Sequence, residues 1–449
     1  MEKTFKIRKG LDLNLAGEAQ PQLQKAGMAQ VYALVPDDFH GVKPRPVIKE
    51  GEHVDAGGTL FVDKNDERVC FVSPVSGTVT AVERGERRKV MSIQVKPDAE
   101  MRYKTFDVPQ GNKLTADSLL DLLLESGLFA FFRSRPYDVT ASPATKPRGI
   151  FISAFSKMPL AADFSFVLQG QEDDFQRGIS ALSLLAPVSV GIRPEQESTL
   201  GQLRDATVYG FDGPNPSGNV GVQINHIAPI NKGETVWTLG AEETLFVGRL
   251  LRTGRVDLTR RIAMAGSDML HPQYVETLVG ARLDHLVDGK TSTAHSVRLI
   301  DGNPLVGKKA TPASFLGAHT TELCAIPEGD DRVEVLGWIA PRLNDYSTSR
   351  SYFSWLQGKN RHYDLDCRIK GGQRHMIMSG EYDRVFPMDI YAGYLVKAIL
   401  TGNIDRQEEL GIYEVAPEDF AVAEFADSSK LELQRIVREG LDILRKENS

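Results

Sequence analysis

The run Gly302-Asn303-Pro304-Leu305-Val306-Gly307-Lys308-Lys309 matches seven of the eight positions of a phosphate-binding P-loop. The eighth must be Ser or Thr to hold Mg²⁺, and it is Lys309. Pro304 also removes an amide from the set that would cradle phosphate, so the run reads as a β-turn without an ATP site. Gly210, Gly213, Gly218 and Gly221 could line a dinucleotide. The dinucleotide fingerprint, however, is G-x-G-x-x-G directly after a strand, with an acid about twenty residues on. Pro214 and Pro216 spoil that spacing and favour a structural loop. His319 with Cys324, and His362 with Cys367, repeat an H-x4-C spacing. Two imidazoles and two thiols suit zinc in softness, although the spacing is unusual and ordinary buried cysteines explain the thiols equally. There is no H-E-x-x-H, no G-x-S-x-G and no carboxylate pair that sequence can single out. Nothing in this inventory moves an electron by itself.

Composition narrows the classes. The chain has 449 residues, too many for one core, and the length prior suggests about three domains. A hydrophobic content of 41% and a charged content of 25% are those of a soluble globular protein. The net charge of −7 argues against a nucleic-acid binder or a direct binder of anionic membrane. No run reaches the ~18 apolar residues of a membrane helix. The nearest, Leu119 to Phe132 and Ile390 to Leu400, are interrupted by Asp121, Glu125 and Lys397. Met1 to Gly10 is basic without an apolar run behind it, so no signal peptide is read. Three dispersed cysteines, Cys70, Cys324 and Cys367, make no disulfide framework, and the expectation is a reducing, cytoplasmic compartment.

The elements that must position these residues follow from pattern. Short β runs with glycine at each corner fill Val31 to Val95, including Val47 to Leu60, Phe61 to Val72 and Ser73 to Val79, and predict a small flattened barrel. The pattern resembles the biotinyl/lipoyl barrel-sandwich domain. That resemblance makes Lys64 the candidate for a prosthetic group, but its hairpin is long and the biotin Met-Lys-Met is absent, so a solvated tip is expected. Thr115 should cap a helix closed by Gly127, with Leu119, Leu120, Leu122, Leu123 and Leu124 on its buried side. Ile150 to Phe155 and Val188 to Ile192 read as buried strands. Between them, a helix begins at Asp173 and Asp174 and carries Phe175, Ile179, Leu182 and Ala186 on its apolar side.

Asp212 to Asn219 is all turn formers, Thr235 to Leu239 a strand, and Ala241 to Arg252 a helix stopped by Gly254. Alternating strands and helices from 150 to 255 predict a mostly parallel, doubly wound sheet. Beyond Arg255 come short β runs, Arg261 to Ala265 and His295 to Ile300. Ser429 and Glu432 have capping-box spacing before a stripe of Leu433, Ile436, Val437, Leu441 and Leu444.

The stretch Thr207 to Gly254, with Gly10-Leu11-Asp12-Leu13, resembles the A-subunit family of bacterial sodium-translocating NADH:quinone reductases, from about residue 5 to the C-terminus. The resemblance implies an N-terminal arm over 1–30, a barrel-sandwich domain over 31–100 and a Rossmann-like α/β domain over 101–256, similar to the complex I flavoprotein. A β-grasp domain of the soluble-ligand-binding type over 257–336 and a C-terminal region over 337–449 ending in helices complete it. It also implies a peripheral subunit on the cytoplasmic face of the inner membrane, held by integral membrane subunits. Electrons would pass from NADH through flavins and an iron–sulfur centre elsewhere in the complex to ubiquinone, coupled to sodium export, and ubiquinone is the candidate small-molecule partner.

Two departures shape what this chain should carry. The dense glycine loop of the complex I flavoprotein has no counterpart, and the region that holds a C-x-x-C cluster in related electron-transport subunits, Ala423 to Lys430, has no cysteine. Ser142-Pro143-Ala144-Thr145 only echoes the covalent flavin sequence of other subunits. The expectation is therefore a chain without its own redox cofactor or catalytic residue. A soluble flavin- or NADH-dependent oxidoreductase and an acyl or carboxyl carrier on the barrel are the competing readings.

Overall fold

The computed structural model describes residues 1–109, 111–331, 340–358, 361–376 and 380–448. The expected boundary at 336 lies outside the described residues. Among those described, no helix is long and apolar enough to cross a membrane.

A seven-stranded sheet forms the centre. Its order is Lys3–Lys6, Thr207–Asp212, Val188–Ile192, Ile150–Ser153, Val236–Thr238, Arg133–Arg135, Val139–Thr140. The first five strands run parallel, Arg133–Arg135 pairs antiparallel to Val236–Thr238, and Val139–Thr140 pairs antiparallel to Arg133–Arg135. The interior strands are apolar on both faces because helices cover both. Ile150 and Ile152 join the core of Phe175, Ile179, Leu245 and Leu250, from helices Glu172–Leu182 and Ala241–Thr253. Phe151 and Val236 point the other way, to Ile224 of helix Val220–Ile227. This is the doubly wound arrangement that the alternation predicts.

The barrel forms as expected, from a four-stranded sheet (Tyr32–Leu34, Val90–Pro97, Gly77–Arg84, His53–Val54) and a three-stranded one (Pro44–Pro46, Thr59–Asp63, Cys70–Val72). Phe61 and Phe71 stack inside it at 4.3 Å. Helix Ala116–Glu125 has Thr115 and Ser118 in a reciprocal capping box and Gly127 just beyond it at φ 74°, a conformation that suits glycine. Its buried leucines join the barrel core to the α/β core in one continuous cluster.

A six-stranded mixed sheet follows, in the order Lys308–Ala310, Val297–Asp301, Glu322–Pro327, Thr259–Ala265, Gln273–Leu278, Gln20–Lys25. The first thirty residues are thus divided between two sheets, Lys3–Lys6 on one edge and Gln20–Lys25 on another. The last hundred residues include helices Ala392–Leu400, Ala421–Ala426 and Leu433–Glu447 around a core of their own.

All five stripe residues of the last helix are buried. Its expected cap is corrected: the helix starts at Leu433, and Ser429 is not its N-cap. Asp427 instead accepts the backbone N–H groups of Ser429 and Leu431 at 3.0 and 2.8 Å. The Glu424 carboxylate, one helix earlier, accepts the Gln434 N–H at 2.8 Å. A carboxylate from a neighbouring helix satisfies an end amide as well as a local hydroxyl does.

Candidate functional site

A cavity of about 600 Å³ opens at the carboxyl ends of the parallel strands, the position where doubly wound sheets receive ligands. Ser153 at the end of one strand and Thr238 at the end of the next form its floor, beside Gly240, which precedes the Ala241–Thr253 helix. Phe131, Phe155, Phe164, Val167 and Leu239 give an apolar wall. The six-stranded sheet contributes Asp301 to Asn303 and His319 to Glu322, the barrel edge Asp37, Asp38 and His40, and the C-terminal region Glu418, Gln434 and Arg438. Every large unit of the chain therefore reaches this space.

Two buried charge clusters border it. In the first, Arg260 is 1% exposed and reaches Glu242 at 3.1 Å and Glu243 at 2.6 Å. It also donates to the carbonyls of Ala318 and Thr320 at 2.9 and 3.2 Å. One guanidinium cannot serve two carboxylates equally, and the neighbours divide. Burial would raise Glu243, but Arg260 and His319 hold it down to about 2. Burial pushes Glu242 up to about 7 against Arg260, helped by the adjacent Glu243 charge. Burial, with Asp38 nearby, likewise pushes Asp301 up to about 6 against its hydrogen bonds from Thr320 and Gly317.

The second cluster joins the sheet to the C-terminal region. Arg135, 1% exposed, donates to Asp419 at 3.1 Å and Glu418 at 2.9 Å. Burial would raise Asp138, but Arg133, Arg135 and Arg438 keep it below the usual carboxylate range.

The glycine loop is occupied by the protein itself. Leu11 N–H donates to the Asn215 carbonyl at 2.8 Å, and Asn215 N–H to Asp12 at 2.9 Å. The two stretches that carried the resemblance are therefore bonded partners. A Cβ on Gly10 would lie 2.3 Å from the Asn215 oxygen, so only glycine lets the backbones approach. On the loop's other side the Asn219 side chain donates to the Glu418 carbonyl at 3.1 Å. A Cβ on Gly221 would lie 2.4 Å from the Asp419 carboxylate. The amides of Ser217 and Asn219 close turns onto Pro214 and Pro216. The close contacts of Gly210, Gly213, Gly218 and Gly221 are all within the chain.

The other sequence candidates separate. Gly302 to Gly307 joins strands Val297–Asp301 and Lys308–Ala310, a hairpin rather than the strand-to-helix turn of a P-loop. Lys64 is exposed at the turn between strands Thr59–Asp63 and Cys70–Val72. Thr145 donates to the Ser142 carbonyl at 2.9 Å within a turn. Cys324 and Cys367 share one apolar cluster with Tyr363, where burial pushes the Cys367 thiol up to about 11 and Cys324 well above the ordinary range. His362 is exposed and His319 lies in the cavity against Glu243. Among the described residues no group of three or more His, Cys, Asp or Glu stands where it could hold a metal.

Sequence reasoning missed Glu242, Glu243, Arg260 and Asp301. Two consecutive glutamates in the first turn of a helix read as complements to its dipole. Their burial depends on Arg260, which lies beyond the helix in another sheet.

Three family models match the chain: the NqrA N-terminal barrel-sandwich hybrid domain over residues 5–98, the NqrA second alpha/beta domain over 114–256, and the NQRA C-terminal domain over 261–312. The A subunit of the Na(+)-translocating NADH-quinone reductase of Rhodopirellula baltica is 33% identical over 453 residues, covering 99% of each chain. The proteins of the same name from Haemophilus influenzae strain 86-028NP and Serratia proteamaculans are each 33% identical, over 98% and 99% of this chain and 99% and 100% of theirs. Among solved structures, a chain of an NAD+-reducing [NiFe]-hydrogenase aligns over 47% of this one at 14% identity, with a TM-score of 0.35.

Proposed function

Because the chain belongs to the A-subunit family of Na(+)-translocating NADH-quinone reductases, we propose that it works as the corresponding peripheral subunit of such a complex. The observation that carries this is correspondence end to end at 33% identity, with 99% of each chain covered. In this reading the complex oxidises NADH, reduces ubiquinone and exports Na⁺. Its flavins and iron–sulfur centre reside on partner subunits, and this chain has no catalytic role in isolation. Attachment to the cytoplasmic face of the inner membrane runs through integral partners. We read the α/β unit as related to the complex I flavoprotein and the six-stranded unit as a β-grasp domain of the soluble-ligand-binding type.

The geometry favours inheritance of the fold without the nucleotide. Pyrophosphate needs unengaged loop amides at a helix N-terminus, whereas the loop amides of Asn215, Ser217 and Asn219 are bonded to Asp12, Pro214 and Pro216. The adjoining cavity suits a different ligand. Its volume and its aromatic and aliphatic wall fit a planar apolar ring with polar substituents, and we assign it to the quinone head group.

A visible absorption spectrum of the purified chain, with its intact mass, tests the cofactor part. The expected result is no flavin band and a mass equal to that of the translated sequence. A stoichiometric flavin band would favour the soluble oxidoreductase instead, and a lipoyl or biotinyl increment on Lys64 would favour the carrier.

A further inference from the structure

His319 is held as a binding residue is held. Both of its neighbours in the chain are clamped: Ala318 N–H donates to Asp38 at 3.0 Å, and the Ala318 and Thr320 carbonyls accept from buried Arg260. Its ring packs edge-on against Phe39 and Phe131, each at 5.6 Å. Nδ1 lies 3.5 Å from the buried Glu243 carboxylate, and the side chain is 28% exposed where it lines the cavity. Nδ1 is therefore taken by Glu243, and Nε2 is the nitrogen left for a ligand. A histidine whose one nitrogen is fixed by a carboxylate has a set tautomer and ring orientation.

The surroundings select the ligand's charge. Around the imidazole stand Glu243 and Glu242 from the helix, Arg260 from the strand behind, Asp301 beside Thr320, and Asp38 of the barrel edge paired with Lys308 of the six-stranded sheet. Four acidic side chains against two cations disfavour a phosphate or a carboxylate ligand. The apolar wall favours a neutral ring.

We infer that His319 contacts the quinone head group, with Nε2 hydrogen-bonding one ring oxygen and Glu243 acting as the positioning residue. The inference rests on the assignment of the cavity to quinone. One nitrogen serves both oxidation states of the ligand: as imidazolium, Nε2–H donates to a quinone carbonyl, and as neutral imidazole, Nε2 accepts from a quinol hydroxyl.

The test titrates the full chain, labelled with ¹⁵N-histidine, with a short-chain ubiquinone. Wild type and His319→Gln are compared by equilibrium dialysis and by NMR, the variant identifying the His319 signals. The expected result is a ligand-dependent shift of the His319 Nε2 resonance and about tenfold weaker binding by the variant, the size of one lost hydrogen bond to the ligand. The NMR shift is read on the unmutated chain, so it stands even where the variant folds poorly. Binding by wild type without that shift, or with equal affinity in a folded variant, would overturn the inference and leave the cavity assignment in place. No quinone binding by wild type would overturn both.

Discussion

Glu242 shows how burial and charge compete at one residue. It lies 3.1 Å from Arg260, yet burial pushes its carboxyl up to about 7 against that guanidinium, which is also hydrogen-bonded to Glu243, and the Glu243 charge adds to the rise. A raised carboxyl takes up a proton in the folded chain at a pH where the unfolded chain has none. Its stabilisation is therefore complete below about 4.5 and is lost as pH rises through about 7. Glu242→Gln should make the protein more stable than wild type at pH ~8, by at most ~3 kcal/mol, with the difference closing toward pH ~4.5. Urea denaturation at the two pH values measures this, and a variant less stable than wild type at the higher pH would refute the assignment. Asp301, pushed up to about 6, works in the same direction. Glu243, held down to about 2, works oppositely, its contribution being present above about 4.5 and lost as pH falls toward 2. None of this was legible in the sequence. The glutamates are visible there as a helix start, but the arginine that divides them comes from another sheet.

Helices were legible where glycine and apolar spacing agreed. Ala241–Thr253 ends at Gly254 with φ 66°, and Thr115 caps its helix as its type requires. Two glycines inside helices carry information that pattern alone does not. A Cβ on Gly178 would lie 2.3 Å from the Thr244 carbonyl oxygen, and one on Gly248 1.8 Å from that of Asp174. The helices Glu172–Leu182 and Ala241–Thr253 thus cross backbone to backbone. Gly248→Ala should cost roughly 2 kcal/mol or more, since neither backbone can yield cheaply. A Tm equal to that of wild type would mean the crossing is looser than described.

The last helix gives the opposite lesson. The capping-box spacing at Ser429 and Glu432 was present without the cap, because Asp427 had already drawn the preceding amides into a turn. Glu424→Ala should weaken that helix by ~1 kcal/mol, read by hydrogen exchange over residues 433–447. Unchanged exchange there would return the capping role to a local residue. The edge strands Lys3–Lys6 and Gln20–Lys25 were illegible for a different reason. KTFK and QPQLQK are short and polar, and their partners lie more than two hundred residues away.

At the scale of the molecule, the N-terminal Gly10 to Asp12, the central loop and the C-terminal Glu418 and Asp419 meet at one place beside one cavity. The alternation that predicts the central sheet gave no hint that N-terminal and C-terminal segments would meet at the carboxyl ends of its strands. In the proposed reading the chain contributes to its complex by shaping or holding a quinone site, and its net charge of −7 disfavours attachment to anionic lipid. Membranes lacking the integral partner subunits should therefore not retain the chain, as a washed-membrane immunoblot would show; retention at the wild-type level would contradict attachment through partners. The most direct test of the account compares NADH oxidation by an artificial electron acceptor with quinone reduction, in membranes with and without this chain. The account predicts that removing the chain abolishes quinone reduction while most artificial-acceptor activity remains. Loss of both activities with the other subunits still assembled would place the NADH chemistry on this chain.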